Sequence, residues 1–307
     1  MVDAQFSATD NALVPGRSAC EGSARDGRRA MESAQMQAPV NTQVYEAYWG
    51  LDEAPFANVP NPKFFCQVLA HHDALEKLLY ITQSARGSAL LTGEVGCGKS
   101  TLSRVLLTEL EETRYEVGLV LNPALTSEEL LYEVALQLGV SSPPTRRSEL
   151  FRTLDDHLLA TAQSGKTTVL IIDEAHTIRD DAVFEDLKRL LDFQLNDRNL
   201  VAMVLLGLPD LRDRIARQRA LADRFALRLS LDNLSEEETA FYIDFRLKRA
   251  GAVRPIFTPA AVRGIHSETS GTPRSINSLC DLCLFEGSRR SATEVDPRLV
   301  KLALGFM

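Results

Sequence analysis

Nowhere in the sequence does an apolar run approach the roughly 20 residues that a helix needs to span a bilayer. The N-terminus, MVDAQFSATDNALVPGRSAC, has no basic start followed by an apolar stretch, which excludes a secretory signal. Cysteine is scarce, and its count of 5 is odd. Scattered thiols of that kind point to reduced residues in the cytoplasm, not to a disulfide framework. Positive charge is in deficit: 34 Lys+Arg stand against 42 Asp+Glu, for a net charge of -8. That excludes a general DNA-coating protein and leaves room only for a local basic face. Internal repeats are also lacking. What remains, at 307 residues with 45% hydrophobic and 25% charged, is ordinary for a globular chain of one large or two modest domains.

Residues 1–42 are rich in Ala, Ser, Gly, Gln and Asp and carry no periodic apolar pattern. They cannot bury enough surface to offset the entropy of ordering, so a disordered leader is expected. Character changes at Tyr45. The stretch YEAYWGLDEAPFANVPNPKFF holds the chain's one tryptophan, Trp49, among Tyr45, Tyr48, Phe56, Phe64 and Phe65. Pro55, Pro60 and Pro62 oppose a helix there and favour an extended or turn path anchored by the rings. Helix periodicity follows at Leu75, Leu78, Leu79 and Ile81.

From residue 88 short apolar runs alternate with helical patterns. Strands are expected at 88–92, 115–121, 167–172, 200–207 and 226–231, with helices between them, including 99–112, 181–194 and 210–219. Continuous apolar strands separated by helices predict a parallel sheet covered on both faces. After Leu231 only helical patterns remain, with Ser235, Thr258 and Asp296 as N-caps. The expected organisation is therefore the leader, an α/β domain at 43–231 and a small all-helical domain at 232–307.

One segment specifies chemistry. Gly93-Glu94-Val95-Gly96-Cys97-Gly98-Lys99-Ser100 fits G-x-x-x-x-G-K-[ST], follows an expected strand and opens an expected helix. Glycines let the loop turn its N–H groups inward onto phosphate oxygens, and the helix N-terminus adds positive dipole. Lys99 reaches the outer phosphates, and the Ser100 hydroxyl is a magnesium ligand. Cys97 is a small filler in this loop; an exposed thiol there would be open to alkylation. About 70 residues on, the strand Val169–Ile172 ends in Asp173-Glu174. Asp173 is expected to hold magnesium and Glu174 to polarise the attacking water. The run continues to Ala175-His176, the box of some helicases, but the rest of a helicase core is missing and His176 receives no role. Such a set acts by positioning and charge neutralisation, without covalent chemistry. A cation is still needed at the transferring phosphoryl group. Among Arg212, Arg214, Arg217, Arg219, Arg224 and Arg228, Arg224 just before the last strand is best placed to act in a neighbouring subunit, with Arg219 second. Cys280 and Cys283 have C-x-x-C spacing on an apolar helix without a second ligand pair, so core packing is expected over zinc.

The chain resembles the AAA+ ATPases of the ExeA/GspA type. YWGLDEAPFANVPNPKFF, LLTGEVGCGKSTL, VLIIDEAH and SGTPRSINSLCDLCL carry the resemblance, and it spans residues 45–303. It implies a P-loop AAA+ three-layer fold with a five-stranded parallel sheet and a helical lid, ATP and Mg2+ as ligands, and assembly into a ring or filament. It assigns the run from Gly93 to Thr101 to the nucleotide. It makes Arg274, in Gly271-Thr272-Pro273-Arg274, the lid's sensor, and gives Asn122 the role of restraining the catalytic glutamate. The sequence departs from the family at Leu208, where a glutamine commonly senses the terminal phosphate, so slow hydrolysis is one expectation. Secretion members often continue into a membrane span and a peptidoglycan-binding domain; no such segment follows here, so a cytoplasmic module without a membrane span is expected. The implied role is ATP-driven assembly of a protein partner in secretion or pilus biogenesis. The alternatives are a DNA-associated regulator of transposition, as TniB-type ATPases share this architecture, and a nucleotide-gated scaffold with little turnover.

Overall fold

The apolar runs become the strands of the fold. In chain order these are β1 (Ser88–Gly93), β2 (Tyr115–Val120), β3 (Thr167–Ile172), the short β4 (Gln194–Leu195) and β5 (Arg198–Asn199), β6 (Val201–Gly207) and β7 (Phe225–Leu231). The computed structural model describes residues 45–307 apart from 67, 85, 86, 196 and 197. The leader expected at residues 1–42 lies outside the described residues. Five strands form one parallel sheet in the order β2-β3-β6-β1-β7, and β4 and β5 form a small antiparallel hairpin. Every residue of β1 and β6 is buried, as the centre of a sheet covered on both faces requires. β7, on the edge, alternates between buried and exposed positions.

The period of two sorts the strand side chains between two cores. Leu90, Leu170, Ile172, Met203 and Leu205 face α4 (Ser127–Gln137), α5 (Arg147–Gln163), α6 (Asp181–Leu191), α7 (Asp210–Arg217) and α8 (Arg219–Ala222). Ala89, Leu91, Val169, Ile171, Val204 and Leu206 face α2 (Leu69–Ser84) and α3 (Lys99–Glu109). Burying such a leucine contributes about 2 kcal/mol, so alternate strand positions hold the three layers together. The helix starts follow local chemistry. Thr126 caps α4 in a reciprocal capping box with Glu129, and Asp180 caps α6.

Beyond β7 lie α9 (Glu236–Arg249), α10 (Pro259–Thr269), α11 (Pro273–Arg289) and α12 (Pro297–Leu304); Ser235, Thr258 and Asp296 cap α9, α10 and α12. Their core takes in the aromatic segment from the start of the described chain. Tyr45, Trp49, Phe56 and Phe64 pack with Tyr242, Ile276, Cys280 and Leu284. The Trp49 ring nitrogen donates to the Leu284 carbonyl at 2.9 Å, and Tyr48 donates to that of Ala292 at 2.7 Å. This segment is less extended than its prolines suggest. α1 (Tyr45–Trp49) forms ahead of them, and Pro62 opens a 3-10 turn over Pro62–Phe64, with Asn61 as its cap. Proline is tolerated at a first helical position because its missing N–H would be unpaired there anyway. The helix expected to run to residue 194 stops at Leu191, since Gln194 enters the β4–β5 hairpin.

Candidate functional site

The parallel order places the C-terminal ends of β1 and β3 at the same edge of the sheet, with β6 between them. The loop after β1 is held from both sides. Gly96 and Gly98 adopt left-handed φ angles of 82° and 106°. A Cβ on Gly96 would lie 2.8 Å from the Arg274 Cβ, and one on Gly98 would lie 2.9 Å from the His71 ring nitrogen. Only glycine meets both demands. α3 begins at Lys99 with no side chain capping its first N–H groups, so they stay open to an anion. Lys99 is 5% exposed, and its ammonium donates to the carbonyls of Gly93 at 2.7 Å and Glu94 at 2.8 Å. A buried ammonium held over a glycine loop is the donor set that polyphosphate requires.

β3 ends in the two carboxylates. Asp173 is 2% exposed, donates its backbone N–H to the Val120 carbonyl, and accepts from the Glu174 backbone at 2.9 Å. Glu174 has φ 54°, a left-handed conformation that costs a non-glycine residue energy and that clusters at functional sites. Its side chain lines the same cavity as Val95, Gly96, Gly98, Lys99, Ser100, Thr101, Leu208 and Arg274. Ser100, buried Asp173 and Glu174 offer the hard oxygen donors that suit Mg2+. The lid touches the loop directly, because the backbone N–H of Arg274, in the first turn of α11, donates to the Gly96 carbonyl at 3.2 Å.

Among the residues singled out in the sequence, Cys97 is a small filler of the loop, and Asn122 and Arg224 lie away from Glu174 and from the loop of their own chain. Cys97 is fully buried, and burial pushes its thiol up, so it is no exposed thiol. Asn122 is exposed and its carboxamide oxygen accepts from the Ala124 backbone at 3.4 Å. That local turn before Pro123 takes the side chain that was expected to restrain Glu174, and the restraint is not formed. Arg224 pairs with Asp192, and its carbonyl accepts from Ser88 at the opening of β1. It therefore stands a strand's length, about 20 Å, from the phosphate loop of its own chain, so any action on a nucleotide would be on a neighbour's. Cys280 and Cys283 are both 0% exposed in the lid core. Burial raises both thiols, that of Cys283 to about 12, which opposes the thiolate a metal needs.

The opposite side of the cavity was not evident in the sequence. It is lined by residues from Ala57 to Val68, and by Leu234, Tyr242, Arg246 and Asn277 of the lid. Arg246 is 5% exposed and forms no ion pair among the described residues. Its guanidinium donates to the Tyr242 hydroxyl at 2.6 Å, to the Asn277 oxygen at 2.7 Å and to the Ala57 carbonyl at 3.3 Å, and it lies over the rings of Phe64 and Tyr242. Asn277 donates in turn to Asn58 at 3.0 Å. The available signal was a cation on the apolar face of α9, next to Tyr242, Ile243 and Leu247. His71, from α2, was missed as well. Its Nε2 stands 2.8 Å from the Cys97 carbonyl, and burial lowers its pKa, so it supports the loop as a neutral ring.

A model of the AAA domain matches residues 82–215. The chain is 37% identical to general secretion pathway protein A of Aeromonas hydrophila over 255 residues, which is 82% of this chain and 46% of that protein. It is 33% identical over 133 residues to the Mu-like prophage FluMu DNA transposition protein B of Haemophilus influenzae, covering 43% of this chain and 41% of the relative. The chain thus spans less than half the length of each of these relatives. Among solved structures, a chain of Drosophila ORC bound to DNA aligns at TM-score 0.64 with 16% identity, over 93% of this chain and 70% of its own. The Aeropyrum pernix ORC2 protein aligns at 0.62 with 15% identity, over 83% and 71%. These two share the fold. With the phosphate loop, the paired carboxylates and the lid in place, the chain carries an AAA domain over residues 82–215 and is similar, over most of its own length, to an ATPase of the ExeA/GspA type.

Proposed function

We propose that the chain binds ATP with Mg2+ in the cavity between the phosphate loop and the lid, and hydrolyses it to drive assembly or remodelling of a protein partner in secretion or pilus biogenesis. The observation that carries the reading is the close approach of the lid to the loop, the Arg274 N–H meeting the Gly96 carbonyl at 3.2 Å. A ligand filling the loop must move or engage α11, which ties nucleotide state to lid position.

In this reading the loop from Gly93 to Thr101 cradles the phosphates, Lys99 leaves the Gly93 and Glu94 carbonyls to bind the outer ones, and Ser100 and Asp173 hold the magnesium. The metal supplies charge neutralisation at the phosphate oxygens. Glu174 orients water for in-line attack, and Arg274 reports on the terminal phosphate. Leu208 cannot hydrogen-bond at its place on the cavity wall, which favours slow turnover. Arg224 exchanges Asp192 for the nucleotide of an adjacent subunit, so the active form is an oligomer, a ring or a filament.

The secretion reading rests on the similarity to general secretion pathway protein A over 82% of this chain. The second reading, a DNA-associated ATPase of transposition, is favoured by the similarity to a transposition protein over 133 residues. Sedimentation and electron microscopy of the purified chain, with and without a non-hydrolysable ATP analogue, test the assembly. The proposal expects larger particles only with the analogue, and unchanged particles in every nucleotide state overturn it. DNA binding that requires ATP and weakens with salt would support the second reading. The described residues contain no helix long and apolar enough to cross a membrane.

A further inference from the structure

The polar residue expected to restrain Glu174 does not serve it. Position 208 is a leucine, and Asn122 turns back onto its own loop. The turn after β3 supplies another. The Nδ1 of His176 lies 3.4 Å from the Glu174 Oε2, within ion-pair reach, and has no hydrogen-bond partner among the described residues. The backbone that carries the ring is fixed by its surroundings. Its carbonyl accepts from the Arg214 guanidinium at 3.2 Å, and the same guanidinium donates to the Ile178 carbonyl at 2.5 Å and lies over the Phe184 ring. Its backbone nitrogen lies so near Gly207, at the end of β6, that a Cβ there would approach it to 3.2 Å. Thr177 closes the turn by donating its hydroxyl to the Glu174 carbonyl at 2.8 Å. The Glu174 side chain, by contrast, is 46% exposed and has no other ion-pair or hydrogen-bond partner for its carboxylate among the described residues.

An imidazole carried on an anchored turn beside a loose carboxylate biases which way the carboxylate points. Glutamate has three side-chain torsions to order, and a small error in aiming a catalytic base is costly in rate. We infer that His176 is the positioning residue for Glu174 and does the work that Asn122 was expected to do. The contact, at 3.4 Å, is close enough to limit where the carboxylate goes and leaves it free to engage water. Arg214, anchoring the turn from α7, makes that bias depend on the helix that follows Leu208. The inference rests on Glu174 as the residue that orients water.

The test is steady-state ATP turnover of the purified full chain, with ATP affinity and thermal melting measured on the same samples. His176→Ala is expected to lower kcat about tenfold while KM and ATP affinity stay within about twofold. His176→Gln, whose amide can reach the carboxylate from about the same place, is expected to recover at least about a third of the lost rate. A folded His176→Ala protein with wild-type kcat overturns the inference, and so does a loss of ATP affinity that matches the loss of rate. If alanine does not fold, the glutamine variant decides, since a folded glutamine protein as slow as one lacking Glu174 excludes positioning by hydrogen bond. Glu174→Gln separates the two levels. If it turns over ATP normally, the role of Glu174 fails and His176 falls with it. If it is inactive while His176→Ala is normal, only the positioning role fails.

Discussion

The cavity has two sides built by different means. On the phosphate side the contacts come from backbone, namely the loop at residues 93–98, the uncapped start of α3 and the left-handed Glu174 at the end of β3. On the entry and lid side they come from side chains, with aromatic rings and a buried Arg246 joining Ala57 and Asn58 to Tyr242 and Asn277. The first side is contiguous in sequence, and its residue types are fixed by phosphate chemistry. The second joins segments about 190 to 220 positions apart and is fixed only by packing. A backbone site is set by phosphate chemistry; a side-chain wall depends on packing between distant segments, and so on where the lid sits.

Breaking each side should therefore give different readouts. The largest effect is expected from Trp49→Ala, which empties a buried site in the entry–lid core and removes the indole donor to the Leu284 carbonyl. A loss of about 4 kcal/mol in urea unfolding is expected. Lys99→Ala comes next. ATP affinity should fall about 100-fold while the urea midpoint barely moves, because a charge-assisted phosphate contact is lost without disturbing a core. Large loss of affinity in the tryptophan variant under conditions where it is folded would show that the two sides act as one.

A smaller effect is expected from His71. Burial lowers its pKa in the folded protein, while the unfolded chain protonates it near 6.5. The unfolded state then binds more protons as pH drops below about 6.5, so folding loses stability in that direction. Thermal melting from pH 7.5 to 5 should show a drop in Tm that His71→Asn reduces. An equal drop in both proteins would remove His71 as a cause. The smallest effect is a null one. Cys97, buried beneath the loop with its thiol pushed up, should stay unmodified by iodoacetamide in the native protein and react after denaturation. Rapid native labelling would mean that the phosphate side opens far more than its packing implies.

These differences follow what the sequence made legible. The sheet could be read because β1, β3 and β6 are short, continuous apolar runs, and their alternation with helices admits few arrangements. Lys99, Asp173 and Glu174 could be read because their chemistry demands those types at that spacing. Arg246 could not, because nothing local distinguishes a buried cation on α9 from the solvated arginines around it. The aromatic entry block signalled burial through Trp49 and Phe56, but not that its partner would be the lid. Asn122 had the right residue in the right loop, and Pro123 with Ala124 turned it away. His176 was passed over because its value lies in a neighbour, Arg214, that comes to it only through the fold.

The central claim is that Glu174 performs hydrolysis at a nucleotide held by Lys99 and the phosphate loop. The most direct measurement is ATP turnover by Glu174→Gln alongside its ATP affinity. The account predicts wild-type affinity with turnover reduced at least about 100-fold. Turnover equal to that of the unaltered chain would contradict it.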